Sequence, residues 1–272
     1  MGLAWFSPVQ PPADLASVLA CSWTASPNGR HLLVPDACAD LLWTSDGNVW
    51  LCGPETTAWT FELPIGTTAV GVRFRPGAVS ATFPIDTATI VNRRISLASL
   101  CGHDVHSAVQ QSIRNADTPR ARLSVLENFV AGLGVDERHL HFATEVVTQL
   151  AAHRRVSQVE LAGRVGVAPR QFYRKCTYGF GYGVSVLARM LRFQRFLAVR
   201  DVSVMGESAP GRSLVGRWAV AAGYADQAHL ARDCRAITGS TPRQFLEHYV
   251  PTFPDMSDPF NTGRQFGVSV VV

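Results

Sequence analysis

Two segments of this 272-residue chain repeat one local plan: a short helix, a glycine-bearing turn and a second helix with one polar face. The first runs Val159-Glu160-Leu161-Ala162-Gly163-Arg164-Val165-Gly166-Val167-Ala168-Pro169-Arg170-Gln171-Phe172-Tyr173-Arg174. The second runs Ala219-Val220-Ala221-Ala222-Gly223-Tyr224-Ala225-Asp226-Gln227-Ala228-His229-Leu230-Ala231-Arg232. Ala162 and Ala219 are small enough to let paired helices cross closely, and Gly166 and Gly223 supply the positive φ of a tight turn.

The surrounding sequence is helical almost throughout beyond Asp136. His141–Arg154 is amphipathic through Val146, Val147, Leu150 and Ala151. Ser157 and Glu160 form a capping box for Gln158–Val165, Gly166 ends that helix, and Pro169 suits the first turn of the next, to Tyr178. A long helix follows over Val184–Val199. Leu214–Ala222, a helix capped by Asp226 through Ile237, and Pro242–Tyr249 complete the set.

In the first of the two second helices, Phe172 and Cys176 face the core while Arg170, Tyr173 and Arg174 share the opposite side. In the other, Leu230 and Cys234 face inward, and Gln227, Ala228, Ala231 and Arg232 face out with His229 alongside. Arg and Gln read guanine and adenine edges bidentately, each contact contributing ~1–3 kcal/mol of discrimination. The candidate DNA-contacting set is Arg170, Gln171, Tyr173, Arg174 and Lys175, then Gln227, Ala228, His229, Arg232 and Arg235. Any one exposed Arg is ordinarily just solvated, and His229 beside Asp226 ordinarily caps or packs; the constellation carries the DNA reading.

Charge points the same way. Residues 1–150 net −4, whereas residues 151–250 hold 15 basic against 6 acidic side chains and net +9. An acidic module joined to a strongly basic one is the footprint of a regulatory domain attached to a polyanion binder. All but Lys175 of the 25 basic residues are Arg, which suits bidentate contacts and equally follows from a genome's base composition.

The N-terminal hundred residues read as short strands between turn signals, as in a small barrel or sandwich. Ser45-Asp46-Gly47-Asn48 is the clearest hairpin turn, joining Leu41–Thr44 to Val49–Cys52. Two helices follow, Ser107–Asn115 and Ala121–Leu133, which serve either as linker and dimer interface or as core packing for the first domain. Phe266–Val272 has strand character and is placed to return to the β region. The domain plan is therefore 1–103, linker helices 104–138, a helical domain 139–250 and a tail 251–272.

Other chemistries find little support. The six cysteines show no CxxC pair, so neither a zinc site nor a disulfide framework is expected, and His103-x-x-His106 reads as a solvated helix start. No cofactor is expected, and no nucleophile elbow, P-loop, dinucleotide fingerprint or HExxH occurs. With no signal-peptide pattern and no run of about 18 apolar residues, the expectation is a cytoplasmic protein without a membrane partner.

The stretch from His141 to Tyr249 resembles the DNA-binding domain of AraC/XylS-type bacterial transcription regulators. The resemblance rests on Ala222-Gly223-Tyr224-Ala225-Asp226-Gln227-Ala228-His229-Leu230-Ala231-Arg232 and Thr238-Gly239-Ser240-Thr241-Pro242-Arg243-Gln244-Phe245. It extends to Val165–Arg174 and to Leu187-Ala188-Arg189-Met190-Leu191-Arg192-Phe193-Gln194-Arg195. It implies seven helices in two subdomains joined by the long helix, with recognition helices about 169–178 and 226–237 entering successive major-groove segments ~34 Å apart. Two departures stand out: Ala168 where the family often has a Ser or Thr cap, and Gly181-Tyr182-Gly183-Val184 in place of Gly-x-Ser-Pro. Ser203–Arg212 looks like an inserted mobile loop.

Val34–Trp43, Gly53-Pro54 and Gly71–Ala78 resemble a cupin-like domain found ahead of such DNA-binding domains. That resemblance implies a β-barrel that senses a small effector or dimerises; metal-binding cupins use a His-rich ligand set, and with only His31 in the strand region the barrel is expected to be metal-free. The overall class is then α+β: an N-terminal cupin-like barrel, linker helices, and an all-α domain of two helix-turn-helix units. Asp36, Asp40, Trp43, Arg73 and Arg75 are the candidate effector residues. Either Arg73 and Arg75 bind an anionic effector, or one of them pairs with Asp36 or Asp40 to pin the loops. Double-stranded DNA is the expected partner, with RNA polymerase, a small-molecule effector and a second copy of the chain as further ones. The competing class is a cupin-type enzyme or a DNA-repair protein fused to a helix-turn-helix domain.

Overall fold

Side-chain alternation decides the architecture of the N-terminal half. Ala39, Leu41, Trp43, Val49 and Leu51 are buried, while Asp40, Leu42, Thr44, Trp50 and Cys52 between them are half-buried, so the central strands carry two distinct faces. The computed structural model describes residues 5–27, 29–152, 156–204, 212–251 and 269–271. Its first sheet contains β1 (Phe6–Val9), β2 (Leu19–Ala25), β4 (Ala39–Thr44), β5 (Val49–Cys52), β7 (Ala69–Phe74) and β8 (Arg94–Ser96). Their order is β1-β2-β7-β4-β5-β8, with every neighbour antiparallel.

The expected hairpin joins β4 to β5, with Leu41 opposite Leu51 and Leu42 opposite Trp50. Gly47 takes φ +99°, and Asp46 Oδ1 accepts from Thr44 Oγ1 at 2.5 Å and Asn48 N–H at 3.1 Å. The hydrogen bond from Thr44 chiefly holds the Asp46 carboxyl below its ordinary range.

A second sheet has the order β6-β3-β10-β9, built from β3 (Arg30–Leu33), β6 (Trp59–Glu62), β9 (Val250–Pro251) and β10 (Ser269–Val271). The tail does return to the β region: Val270 pairs with Leu33 and Val271 with Leu32.

The expected closed barrel is replaced by two sheets that share no hydrogen-bonded edge among the described residues. Helices cover one face of the larger sheet, and the smaller sheet lies across the other. Its edge strand β1 carries Pro8, which has no N–H with which to extend the ladder.

Those covering helices are α3 (His103–Arg114) and α4 (Pro119–Leu133), which follow the short α1 (Val79–Thr82) and α2 (Leu97–Cys101). Val109, Ile113, Leu123, Leu126 and Val130 join Leu41, Trp43, Val72 and Phe74 in one core, so their apolar stripe is occupied by core packing. Glu127 is buried in α4, where its Oε1 accepts from Ser22 Oγ at 2.6 Å and Arg120 Nη1 at 3.0 Å. These partners satisfy a carboxylate that burial would otherwise penalise.

The remaining helices are α5 (Glu137–Ala152), α6 (Gln158–Arg164), α7 (Pro169–Phe180), α8 (Val184–Val204), α9 (Arg212–Ala221), α10 (Gln227–Thr238) and α11 (Pro242–His248). The expected loop at Ser203–Arg212 shrinks, because α8 continues to Val204 and α9 begins at Arg212; residues 205–211 lie outside the described set. Two cores result, one around Phe172, Leu187 and Met190 and the other around Phe193, Trp218 and Tyr224.

Both helical cores accept residues from the β region: Ala37 enters the first and Val34 the second. Gly77 sits at this seam with φ +80°, and a Cβ there would lie 2.7 Å from both Ala143 Cβ and the Phe180 ring. Gly77→Ala is therefore expected to cost more than the ~1–2 kcal/mol of the left-handed conformation alone. Denaturant unfolding checks this, and a smaller loss would show the two halves yielding at the seam.

Candidate nucleic-acid interface

The two helix-turn-helix units superimpose in sequence with one shift. Ala162 and Ala219 lie 57 positions apart and make the same bonds: Ala162 O accepts from Val167 N at 3.0 Å, and Ala219 O from Tyr224 N at 2.9 Å. Gly166 N–H donates to Gly163 O and Gly223 N–H to Val220 O, closing each turn. After the turns the spacing becomes 58, pairing Phe172 with Leu230, Cys176 with Cys234 and Gly181 with Gly239. The second turn thus holds one more residue. Both α7 and α10 are 12 residues long and end on a left-handed glycine, at φ +87° and +73°.

The polar faces are open. Arg170, Gln171, Tyr173 and Arg174 are exposed on α7, as are Gln227, Ala228, Arg232 and Arg235 on α10. Two of the expected contacts are turned to other work. Lys175 is half-buried, with its ammonium 5.0 Å from the Phe142 ring centroid, a cation–π position against α5. His229 packs edge-on to Tyr224 at 5.1 Å, and its Nδ1 accepts from Ala225 N–H at 3.4 Å. Burial, helped by the Arg192 charge, lowers its pKa, outweighing Asp233 at 3.9 Å, so the ring is neutral and braces the turn.

Asp233, absent from the sequence reading, fixes the relation between the long helix and α10. Its carboxylate accepts from Arg192 Nη2 at 2.8 Å and lies 3.6 Å from Arg189 Nε. The Arg192 guanidinium also lies 5.0 Å from the Tyr224 ring. Arg189 and Arg192, three residues apart on one helix, together with an acid between Leu230 and Ile237 on an otherwise apolar side, were the available signal.

The candidate effector residues divide. Arg73 is buried and paired with both half-buried acids: Nη1 lies 3.0 Å from Asp36 Oδ2, Nη2 lies 3.0 Å from Asp40 Oδ2, and Nε donates to Asp40 Oδ1 at 3.1 Å. The pairing alternative is the one present. Arg75 is elsewhere, its Nε donating to Ala16 O at 2.9 Å, and Trp43 lies on the helix-facing side of the sheet beneath Arg122. Burial pushes the nearby Cys21 and Cys52 thiols up to about 12, so they are neutral. Among the described residues no cluster of three or more His, Cys, Asp or Glu is placed to hold a metal, and no helix is long and apolar enough to cross a membrane.

Residues 7–96, a third of the chain, match a family model described as a domain of unknown function, DUF6597. No curated protein matches the chain. Among solved structures, ToxT from Vibrio cholerae O395 is similar over 89% of this chain and 97% of its own, at 11% identity and a TM-score of 0.44. A second crystal form of ToxT from Vibrio cholerae gives 9% identity and a TM-score of 0.41 over 89% of this chain and 98% of its own.

The two units differ at their caps. Asp226 Oδ1 accepts from His229 N–H at 2.6 Å, and Thr241 with Gln244 forms a full capping box at α11. At the matching start of α7, Ala168 offers no side-chain cap. Ala168→Ser is accordingly expected to stabilise the protein by ~0.5–2 kcal/mol. A rise in the unfolding midpoint without a change in denaturant slope is the expected record; no rise would show those N–H groups already satisfied.

Proposed function

We propose that the chain is a sequence-specific, double-stranded-DNA-binding transcription regulator of the AraC/XylS type. The single observation that carries this reading is the duplicated helix-turn-helix with an open polar face on each second helix. Residues 139–250 form the DNA-binding domain, α7 and α10 lie in successive major-groove segments, and Arg170, Gln171, Tyr173, Arg174, Gln227, Arg232 and Arg235 meet the DNA. Residues 1–103 form the effector-responsive or oligomerising module. The protein acts in the cytoplasm, with RNA polymerase and a second copy of the chain as further partners.

Phosphate contacts from arginines supply most of the affinity and base edges most of the selectivity, so binding weakens steeply with salt. Footprinting on the source organism's genomic DNA at near-physiological salt is expected to show a site of two adjacent half-turn elements on one DNA face. Arg174→Ala and Arg232→Ala are each expected to relax discrimination by ~1–3 kcal/mol at particular base pairs. Equal weakening on all sequences would reassign them to phosphates, and binding that is blind to sequence in the unaltered protein would overturn the reading.

A further inference from the structure

A cavity of about 650 Å³ lies between the two sheets, within the ~300–1,000 Å³ range of small-molecule sites. Its walls are the second faces of the alternating strands, so Asp40, Leu42 and Thr44 of β4 and Trp50 of β5 point into the space that Leu41 and Trp43 turn away from. Six aromatic rings line it: Trp5, Phe6, Trp23, Trp50, Trp59 and Phe61. The Trp59 indole N–H has no hydrogen-bond partner among the described residues.

The charges in this space are unequal. The lining holds four carboxylates, Asp36, Asp40, Asp46 and Glu55, against two guanidiniums, Arg73 and Arg94. Both cations are already committed. Arg73 is held by Asp36 and Asp40 together, and Arg94 bonds Glu55 at 2.5 Å while lying 3.7 Å from the Trp59 ring centroid. Among the described residues an anionic guest would find no free positive charge here and an excess of negative ones. Aromatic faces beside a net excess of carboxylates favour a desolvated cation.

We propose that this cavity binds a bulky, largely apolar organic cation. Its occupancy reaches the second helix-turn-helix through two wall segments, a step that rests on the DNA-binding reading above. Leu33, Val34, Pro35 and Asp36 line the cavity, while Val34 packs in the core of α9 and α10 and Pro35 O accepts from Gln194 Nε2 of α8 at 2.7 Å. Trp59, paired with Leu33 in the same sheet, also lines the cavity, and the preceding Ala58 N–H donates to Ile237 O in the last turn of α10 at 2.6 Å.

The test uses the full chain and two probes of nearly the same shape and opposite charge, tetraphenylphosphonium and tetraphenylborate, titrated against tryptophan fluorescence without DNA. Tetraphenylphosphonium is expected to bind one to one and at least about tenfold more tightly than the borate. Asp36→Asn leaves Arg73 balanced by Asp40 alone and is expected to weaken the phosphonium about tenfold without weakening the borate. Trp50→Ala, with its fold checked by circular dichroism, is expected to weaken the phosphonium as well. Equal or tighter borate binding, no saturable phosphonium binding, or full affinity in both variants would overturn the assignment. Saturating phosphonium is also expected to change affinity for the footprinted site at least about threefold. Unchanged affinity would overturn the relay, whereas a chain that binds the cation and never gives a footprint would overturn the DNA-binding reading alone.

Discussion

The segment between β3 and β4 is buried on both of its sides, and the rest of the molecule is arranged around that constraint. Val34 packs into the core of the second helix-turn-helix and Ala37 into that of the first, while Asp36 bonds the buried Arg73. A guanidinium so enclosed needs near-complete hydrogen bonding, because an uncompensated buried charge is costly. Asp36, Asp40 and the Trp23 indole N–H, which donates to Asp40 Oδ1 at 2.8 Å, supply the network. Pinning Arg73 therefore sets the floor of the cavity and the path of the strand that both helical units contact.

Local chemistry was legible in the sequence and tertiary choices were not. The hairpin at Asp46-Gly47, the capping box at Ser157 and Glu160, the Asp226 cap and the inward Phe172, Cys176, Leu230 and Cys234 all follow from residues within a few positions of one another. Where α3 and α4 would pack was not legible, because their amphipathic pattern is the same whether they pack on a sheet or on a second chain. His229 and Lys175 illustrate the same limit at the site. Their spacing permits an outward course, but contacts with Tyr224 and Phe142 decide otherwise.

The basic balance of residues 151–250 likewise overstates what DNA would meet. Arg192 is spent on Asp233, Arg195 donates to Leu150 O at 2.6 Å, Arg200 pairs with Asp201 and Arg243 with Glu247. On the two second helices the exposed guanidiniums are Arg170 and Arg174 of α7 and Arg232 and Arg235 of α10. The charge of Arg189 and Arg192 spent on Asp233 holds α8 against α10, and the proposed DNA-binding reading needs such a fixed relation between the two short helices.

The two units reach order by different routes. The second carries its own devices, the Asp226 cap, the Thr241 capping box and the Asp233 clamp. The first lacks a cap at Ala168, and the far end of α7 leans on the β region instead. Gly181 fits against Val91 and the Thr87 carbonyl so closely that a Cβ would stand 2.3 Å from Val91 Cγ2, and Ser80 Oγ lies 3.5 Å from Gly179 O. These contacts come from the segment between β7 and β8, so that segment fixes where α7 ends. The cavity walls, by contrast, touch the core and last turn of the second unit. The seam thus gives the β region a separate grip on each unit.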